Sequence, residues 1–497
     1  MELTELSATA LAGAIRTGTA SAREVLEAHL TLLVDVNPVV NAVVAERFAA
    51  ARREADAADA RVAAGGPLPP LLGVPCTIKE SIAVEGMPHA AGVVARRAVR
   101  APRSAPVVRR LEAAGAIVVG VTNTSELCLW VEAENRLYGR TRNPYNPART
   151  AGGSSGGEGA AVGSGASPIG LGSDIGGSVR IPAFCCGVFG HKPSRGVVPA
   201  TGNYPPAGGG SARLFTNGVL ARRAEDLLPV LRLIAGPDGE DPLVVNRAAD
   251  DPVPPRESLR GQVVIVTEDA WPMPTSDELL HARERAAGAL AAAGARIEHR
   301  RMPRLRRALD LYITTLARTS GQTALEVLGG DPVRLLHRGG PHTVATRVLL
   351  VAERVHGRIP ARVAARMVDA GRVLAEELCT AIGDALLLHP PFASVAPRHG
   401  RTVGRPWWIG HVVPFNLAGL PVTQVPLGLG RSGLPLGVQV AAGPGRDAWT
   451  IAAALELERV FGGWTPPGRR GFGGDSPARL SPTGRSTNNY PHGGREA

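Results

Sequence analysis

The sequence predicts an α/β fold, and three observations carry that prediction. Helical and strand-like periodicities alternate along the chain. Residues 261–302 read as strand, helix, strand. Apolar residues make up 44% of the composition, enough for a sizeable core. The 497 residues suit two or three average domains, or one large α/β domain with insertions.

The elements follow in order. "SAREVLEAHLTLL" opens with a capping box, Ser21 and Glu24, and continues with apolar helical spacing. "AERFAAARREADAADARVAA" is a second helix that ends in "GGPLPP" and leads into "GVPCTIKE", residues 73–80. "SAPVVRRLEAAGAIVVGVTNT" reads as a helix, a glycine turn and a buried strand ending near Val121. Glycine, serine and alanine dominate residues 150–178, which composition alone would label a linker. Near Ala235 the chain changes character and enters the βαβ unit. Residues 305–385 carry helical pattern, followed by the apolar strand "ALLLHPP", a proline- and glycine-rich stretch over 397–444, and a last helix over 447–460. The tail, 465–497, is rich in Pro, Gly, Arg and Ser and is expected to be disordered.

The formal net charge is +11, but the arginines are scattered among alanine and acidic residues. The densest cluster, "HRRMPRLRR" at 299–307, holds a proline and no aromatic for base stacking. It reads as a solvated face, with a membrane surface the weaker alternative, and no nucleic-acid partner is expected. Five cysteines, an odd count with two adjacent and no CxxC, give neither a disulfide framework nor a zinc site and fit a reducing cytoplasm. The N-terminus is no signal peptide, and three interior prolines in the uncharged window 406–430 argue against a spanning helix. A cytoplasmic protein without a transmembrane anchor is expected.

Only two of the 55 basic residues are lysines, Lys79 and Lys192. Arginine cannot be deprotonated in a protein, whereas a buried lysine can lose its proton. Lys79 is therefore a candidate neutral amine, a structural lysine being the alternative. Residues 151–187 contain "PIGLG", Asp174, Ile175, Arg180 and "IPAF", which marks a packed segment rather than a linker. In "DIGGS", the N–H groups of Ile175, Gly176, Gly177 and Ser178 form a candidate oxyanion nest, with Ser178 placed to attack a carbonyl. None of the 12 histidines lies in HExxH or HxH, so metal activation has no support. "GGSSG" matches GxSxG, but "NPYNPARTA" before it is a loop, not the strand a nucleophile elbow needs. The base that remains for Ser178 is Lys79, acting directly or through a second hydroxyl.

"GVPCTIKE", "GGSSGGEGA" and "GSDIGGSVRIPAFCCGVFGHKPSRGVVP" resemble the amidase signature family, as do the 24-residue step from Ser154 to Ser178 and "LPVTQVPLGL…GLPLGVQVAAGP". The resemblance runs from the first helix to "FGGW" at 461–464. Within the family, "GGSSGGEGA" and "FGHKPSRGVVP" look most like fatty acid amide hydrolases of the second type. The resemblance implies one domain over 1–464, a large twisted mixed sheet covered by helices on both sides, with a variable helical substrate-channel region at about 240–385. It implies hydrolysis of a carboxylic amide by a Ser–cisSer–Lys triad, with Lys79 as base, Ser154 as the bridging serine behind a cis peptide, and Ser178 as nucleophile. Gly153, without a β-carbon, would ease that geometry; Ser155 and Asp174 would hold the loop and nest, and Arg180 would brace the next segment by ion pairing.

Further matches are looser. Glu80 stands where many members carry aspartate, and Lys192 matches a structural position. Cys128 falls in the loop on the acyl side of the site, either as a substrate contact or as a buried packing cysteine, and Ile181 is a second candidate substrate contact. "LDLYITTLA", 309–317, either lines the channel or is a helix core face. A small-molecule amide is the implied partner, with no cofactor and no metal; a homodimer stays open. The alternative within the family is a glutamine-dependent aminoacyl-tRNA amidotransferase subunit, against which stands Ile181, apolar where that subunit would carry a polar substrate contact. A non-enzymatic binding protein of the same fold is the third reading.

Overall fold

The expected strand, helix and strand over 261–302 are present in the computed structural model, which describes residues 2–244, 254, 256–268, 275–328 and 340–468. Most of the tail expected to be disordered, 469–497, lies outside the described residues. The first strands in the chain are β1 (Val43–Glu46), β2 (Pro75–Lys79) and β3 (Ile117–Thr122), followed by the two-residue strands β4 (Glu134–Asn135) and β5 (Gly139–Arg140). Then come β6 (Ile169–Asp174), β7 (Phe189–Lys192), β8 (Thr216–Ala221), β9 (Val263–Thr267), β10 (Arg296–Arg300), β11 (Leu386–His389), β12 (Val422–Leu429) and β13 (Pro435–Ala442). Among the described residues, β4 and β5 form a separate ribbon, and the others build one sheet of 11 strands.

The order across the sheet is β1-β3-β2-β6-β8-β7-β12-β13-β11-β9-β10. It is mixed: β2 runs parallel to both β3 and β6, β9 runs parallel to β10 and β11, and the centre is antiparallel. Every residue of β2, β3, β6, β8 and β13 is buried, so both faces of the sheet are covered. That burial explains why these strands read as continuous apolar or small-residue runs rather than alternating ones.

The capping box forms as expected. Ser21 Oγ accepts from the Glu24 N–H at 3.0 Å, and the Glu24 carboxylate accepts from the Ser21 N–H at 2.8 Å, opening the helix Ala22–Val40. The basic run at 299–307 ends in a 3-10 turn, Pro303–Arg307, that buries Leu305 and exposes Arg304, Arg306 and Arg307, the solvated face expected of it. No helix among the described residues is long and apolar enough to cross a membrane.

One region departs from the sequence reading. The stretch 397–444, read only as proline- and glycine-rich, contains a short helix, Val413–Ala418, and the antiparallel hairpin of β12 and β13. Proline is tolerated there because Pro435 opens β13 and Pro426 sits at a register shift, where a missing N–H interrupts little of the ladder.

Topology also sets the site. Parallel pairing aligns Ile78 with Leu171, so Lys79 at the end of β2 and Ser173–Asp174 at the end of β6 emerge at the same edge. The carboxyl ends of parallel strands are where α/β sheets place their ligands.

Candidate active site

Lys79 is completely buried, and its Nζ donates to Ser154 Oγ at 2.6 Å and to Ser173 Oγ at 2.9 Å. Burial pushes its pKa below the ordinary lysine value, because a desolvated ammonium is penalised. Ser154 follows a cis peptide bond from Gly153 and lies in the loop ahead of the helix Gly156–Gly163. A β-carbon on Gly153 would stand 2.7 Å from Glu132 N and 2.8 Å from Trp130 O, so the backbone approach there excludes any larger residue.

Ser178 lies in the turn between β6 and the helix Arg180–Cys185, and its carbonyl accepts from the Ser155 N–H at 3.2 Å. The backbone of the nucleophile candidate is thus sewn to the residue after Ser154. Ser155 Oγ also meets the backbone of Ser173 at 3.4 Å, on both its N–H and its carbonyl.

Asp174 organises the turn. Its carboxylate accepts from the N–H groups of Gly177 at 2.8 Å and Val179 at 3.2 Å, from Asn416 Nδ2 at 2.9 Å, and from both Nε and Nη2 of Arg180 at 3.0 Å. Burial opposes the charge on Asp174, but the Arg180 guanidinium overcomes it and holds the carboxyl well below its usual range. Arg180 is itself fully buried and donates onward to Gln439 at 2.9 Å and Asn416 at 2.6 Å. These contacts amend the nest expected from the sequence: the Gly177 N–H points to Asp174, because Gly177 at φ 101° turns the chain back over that carboxylate.

A cavity of about 360 Å³ opens over this edge. Cys128, Ser173 and Ile175 line it near the lysine, and Ile313, Leu316 and Ala317 line it from the helix Ala308–Thr319. The stretch 309–317 therefore serves both roles weighed for it, since Leu311, Tyr312 and Thr314 on the same helix are buried. Ile181 is buried on the helix Arg180–Cys185 and packs beneath Gly177.

Several residues escaped the sequence reading. Ser173, the second hydroxyl on Lys79, sits at the end of β6, inside the "GSDIGGS" stretch but with no role read for it there. Glu158 is fully buried, accepts from Thr77 at 2.6 Å and Thr122 at 2.7 Å, and is pushed up to about 7 by burial. Glu126 accepts from the Thr343 N–H at 3.0 Å and Thr346 Oγ1 at 2.7 Å, tying the Cys128 loop to the start of the helix Val344–Gly357. Leu127 and Cys128 follow it at φ 55° and 59°, left-handed positions that the anchored loop maintains. Glu80 accepts from the Ala90 N–H at 2.6 Å and from Tyr138 at 2.9 Å, and Lys192 donates to the Pro193 carbonyl at 2.8 Å; both are buried.

Residues 24–451 match the Amidase family model. Fatty-acid amide hydrolase 2-B of Danio rerio is 40% identical over 490 residues, covering 94% of this chain and 91% of that protein. Fatty-acid amide hydrolase 2 of Homo sapiens is 36% identical, covering 93% and 90%. Among solved structures, 6-aminohexanoate cyclic dimer hydrolase complexed with substrate superposes with a TM-score of 0.77 at 29% identity, covering 92% of this chain and 97% of that one. A family match across most of the chain, an 11-stranded mixed sheet and two strong relatives lead to one conclusion: the chain belongs to the amidase signature family and is an amide hydrolase.

Proposed function

We propose that the chain cleaves amides of apolar acyl groups through an acyl-enzyme on Ser178, with neutral Lys79 as the base and Ser154 as the hydroxyl between them. The observation that carries this reading is the environment of Lys79: a buried amine whose hydrogen bonds go to two serine hydroxyls, at 2.6 and 2.9 Å, and not to a carboxylate. Such an amine is inclined to be neutral, and a neutral amine can accept a proton.

In the proposed reaction Ser178 Oγ bonds to the amide carbon as its proton passes to Ser154, whose own proton moves to Lys79. The carbonyl oxygen gains the negative charge and is met by the N–H groups of Ile175, Gly176 and Ser178, the Gly177 N–H being engaged by Asp174. Lys79 then returns a proton through Ser154 to the amide nitrogen, the C–N bond breaks, and the amine or ammonia leaves. Water attacks the resulting ester, its proton passes through Ser154 to Lys79 and returns along the same relay to Ser178 Oγ as the C–O bond breaks, and the acid is freed. Every step uses groups of this chain and water.

The cavity supports an apolar acyl group, since Leu127, Phe215, Ile313, Leu316 and Val327 are among its walls. The names of the Danio rerio and Homo sapiens relatives agree with that class. The same cavity also presents Asn203, Gln322, Glu353 and His356, so the amidotransferase alternative, whose substrate is a glutamine side chain, is separated by the assay below. All five cysteines are free, in keeping with the reducing cytoplasm expected from the sequence.

The test is a hydrolysis panel from short aliphatic to long acyl and aryl amides, with glutamine included. We expect kcat/KM to climb with acyl length and the Ser178→Ala protein to be inert. Glutamine as the preferred substrate, or turnover untouched by Ser178→Ala, would overturn the reading.

A further inference from the structure

Tyr312 lies on the helix Ala308–Thr319, in the stretch of the chain where the sequence offers no motif. Its hydroxyl donates to the Ile175 carbonyl at 2.9 Å, across 137 positions of sequence. A β-carbon on Gly176 would come within 2.6 Å of that same oxygen, so glycine at 176 leaves the space that the tyrosine hydroxyl fills. The phenol is 3% exposed. Burial and the nearby charge of Asp174 push its pKa up, so it remains a donor.

The Ile175–Gly176 peptide is one planar unit. Its carbonyl accepts from Tyr312, while its N–H belongs to Gly176, one of the three donors proposed for the oxyanion. Fixing the carbonyl end fixes the direction of the N–H end. A hydrogen bond on the carbonyl also polarises the amide, so that its N–H donates more strongly to a developing negative charge. Ile175 and Gly176 are moreover the two residues of 151–187 that are only partly buried, and Ile175 lines the cavity, so this peptide has less packing to hold it than its neighbours have.

We infer that Tyr312 is a positioning residue for the oxyanion hole, acting through the Ile175–Gly176 peptide, and that it couples this turn to the helix whose Ile313 and Leu316 touch the acyl chain. The inference rests on the proposed Ser178 mechanism. It gives the helix two roles, since the element that grips the acyl group also holds a donor for the transition state.

The variant is Tyr312→Phe, which keeps the ring and removes the donor. The probe is a trifluoromethyl ketone bearing the preferred acyl chain, which Ser178 converts into a tetrahedral oxyanion adduct. The matching secondary alcohol, which cannot form that adduct, serves as reference. We expect kcat to fall about fivefold with KM unchanged, the size of a single neutral hydrogen bond. The ratio of ketone to alcohol affinity should fall by the same factor. That ratio does not depend on how much of the variant is folded, so a loss of stability cannot imitate the effect. An unchanged ratio, whatever happens to kcat, overturns the inference. Failure of the wild-type protein to form a Ser178 adduct would instead overturn the mechanism beneath it, and the two failures are distinct.

Discussion

Of residues 151–187 all but Ile175 and Gly176 are buried, whereas the helix Val344–Gly357, which walls the same cavity, exposes Val344, Val348, Val351 and Val355. The two regions meet different demands. In the first, charged and polar groups sit in a dry interior, and each must find a partner or cost free energy. Asp174, Arg180, Ser155 and the N–H groups around them satisfy one another through specific bonds, and few other residues would do so. In the second, the wall has only to be apolar and roughly the right shape, which many sequences achieve. Chemistry constrains identity; a hydrophobic wall constrains character.

Substitutions can break or sharpen this contrast. The largest effect is expected at the relay itself: Ser178→Ala and Lys79→Arg should each lower kcat more than about 10³-fold while the protein stays folded, as judged by circular dichroism. Arginine keeps the charge and cannot serve as a base, so residual activity near wild type in Lys79→Arg would remove lysine from the mechanism.

Next comes the support of the nest. Arg180→Met strands the buried Asp174 carboxylate without its guanidinium and should cost about 3–5 kcal/mol in urea unfolding. A loss below about 1 kcal/mol would mean that the pair matters less than its burial implies.

On the cavity wall the effect should be smaller and selective. Leu316→Trp fills part of the acyl channel and should reduce kcat/KM for the longest acyl amides about tenfold, leaving the shortest unaffected. An equal loss for every chain length would place Leu316 outside the acyl path.

The smallest expected change is a shift in pH profile. Lys79 must be neutral to act, so activity should fall as pH drops through its pKa, which burial has lowered. Above its own pKa, which burial pushes up to about 7, the charge of Glu158 works in the other direction and raises that of Lys79. Glu158→Gln removes the charge, keeps one acceptor oxygen for Thr77 or Thr122, and offers the other threonine hydroxyl an N–H to accept. The acid limb of kcat/KM should therefore move to lower pH; a limb that stays or moves higher would refute the electrostatic coupling.

How much of the molecule is legible in its sequence follows from the same contrast. A near-absence of lysine makes Lys79 conspicuous, and charges set among glycines reveal that 151–187 is packed. The α/β class and the βαβ unit at 261–302 are readable because helix and strand periods differ. Ser173 is not readable, since one serine at the end of a strand looks like any other until the parallel register of β2 and β6 sets it beside Lys79. Nor are Glu126 and Tyr312, whose partners lie 217 and 137 positions away. Spacing alone assigns the Gly177 N–H to the oxyanion, because it cannot show which way a glycine turns. The β12–β13 hairpin is hidden by its prolines, which usually signal loops.

The central claim is a proton path from Ser178 through Ser154 to an uncharged Lys79. It is tested most directly by treating the protein with a long-chain fluorophosphonate and locating the adduct by peptide mass spectrometry as a function of pH. The account predicts one adduct, on Ser178 Oγ, forming faster as pH rises through the Lys79 pKa and scarcely forming in Lys79→Arg. An adduct on another residue, or labelling of Ser178 at an undiminished rate in Lys79→Arg, would contradict it.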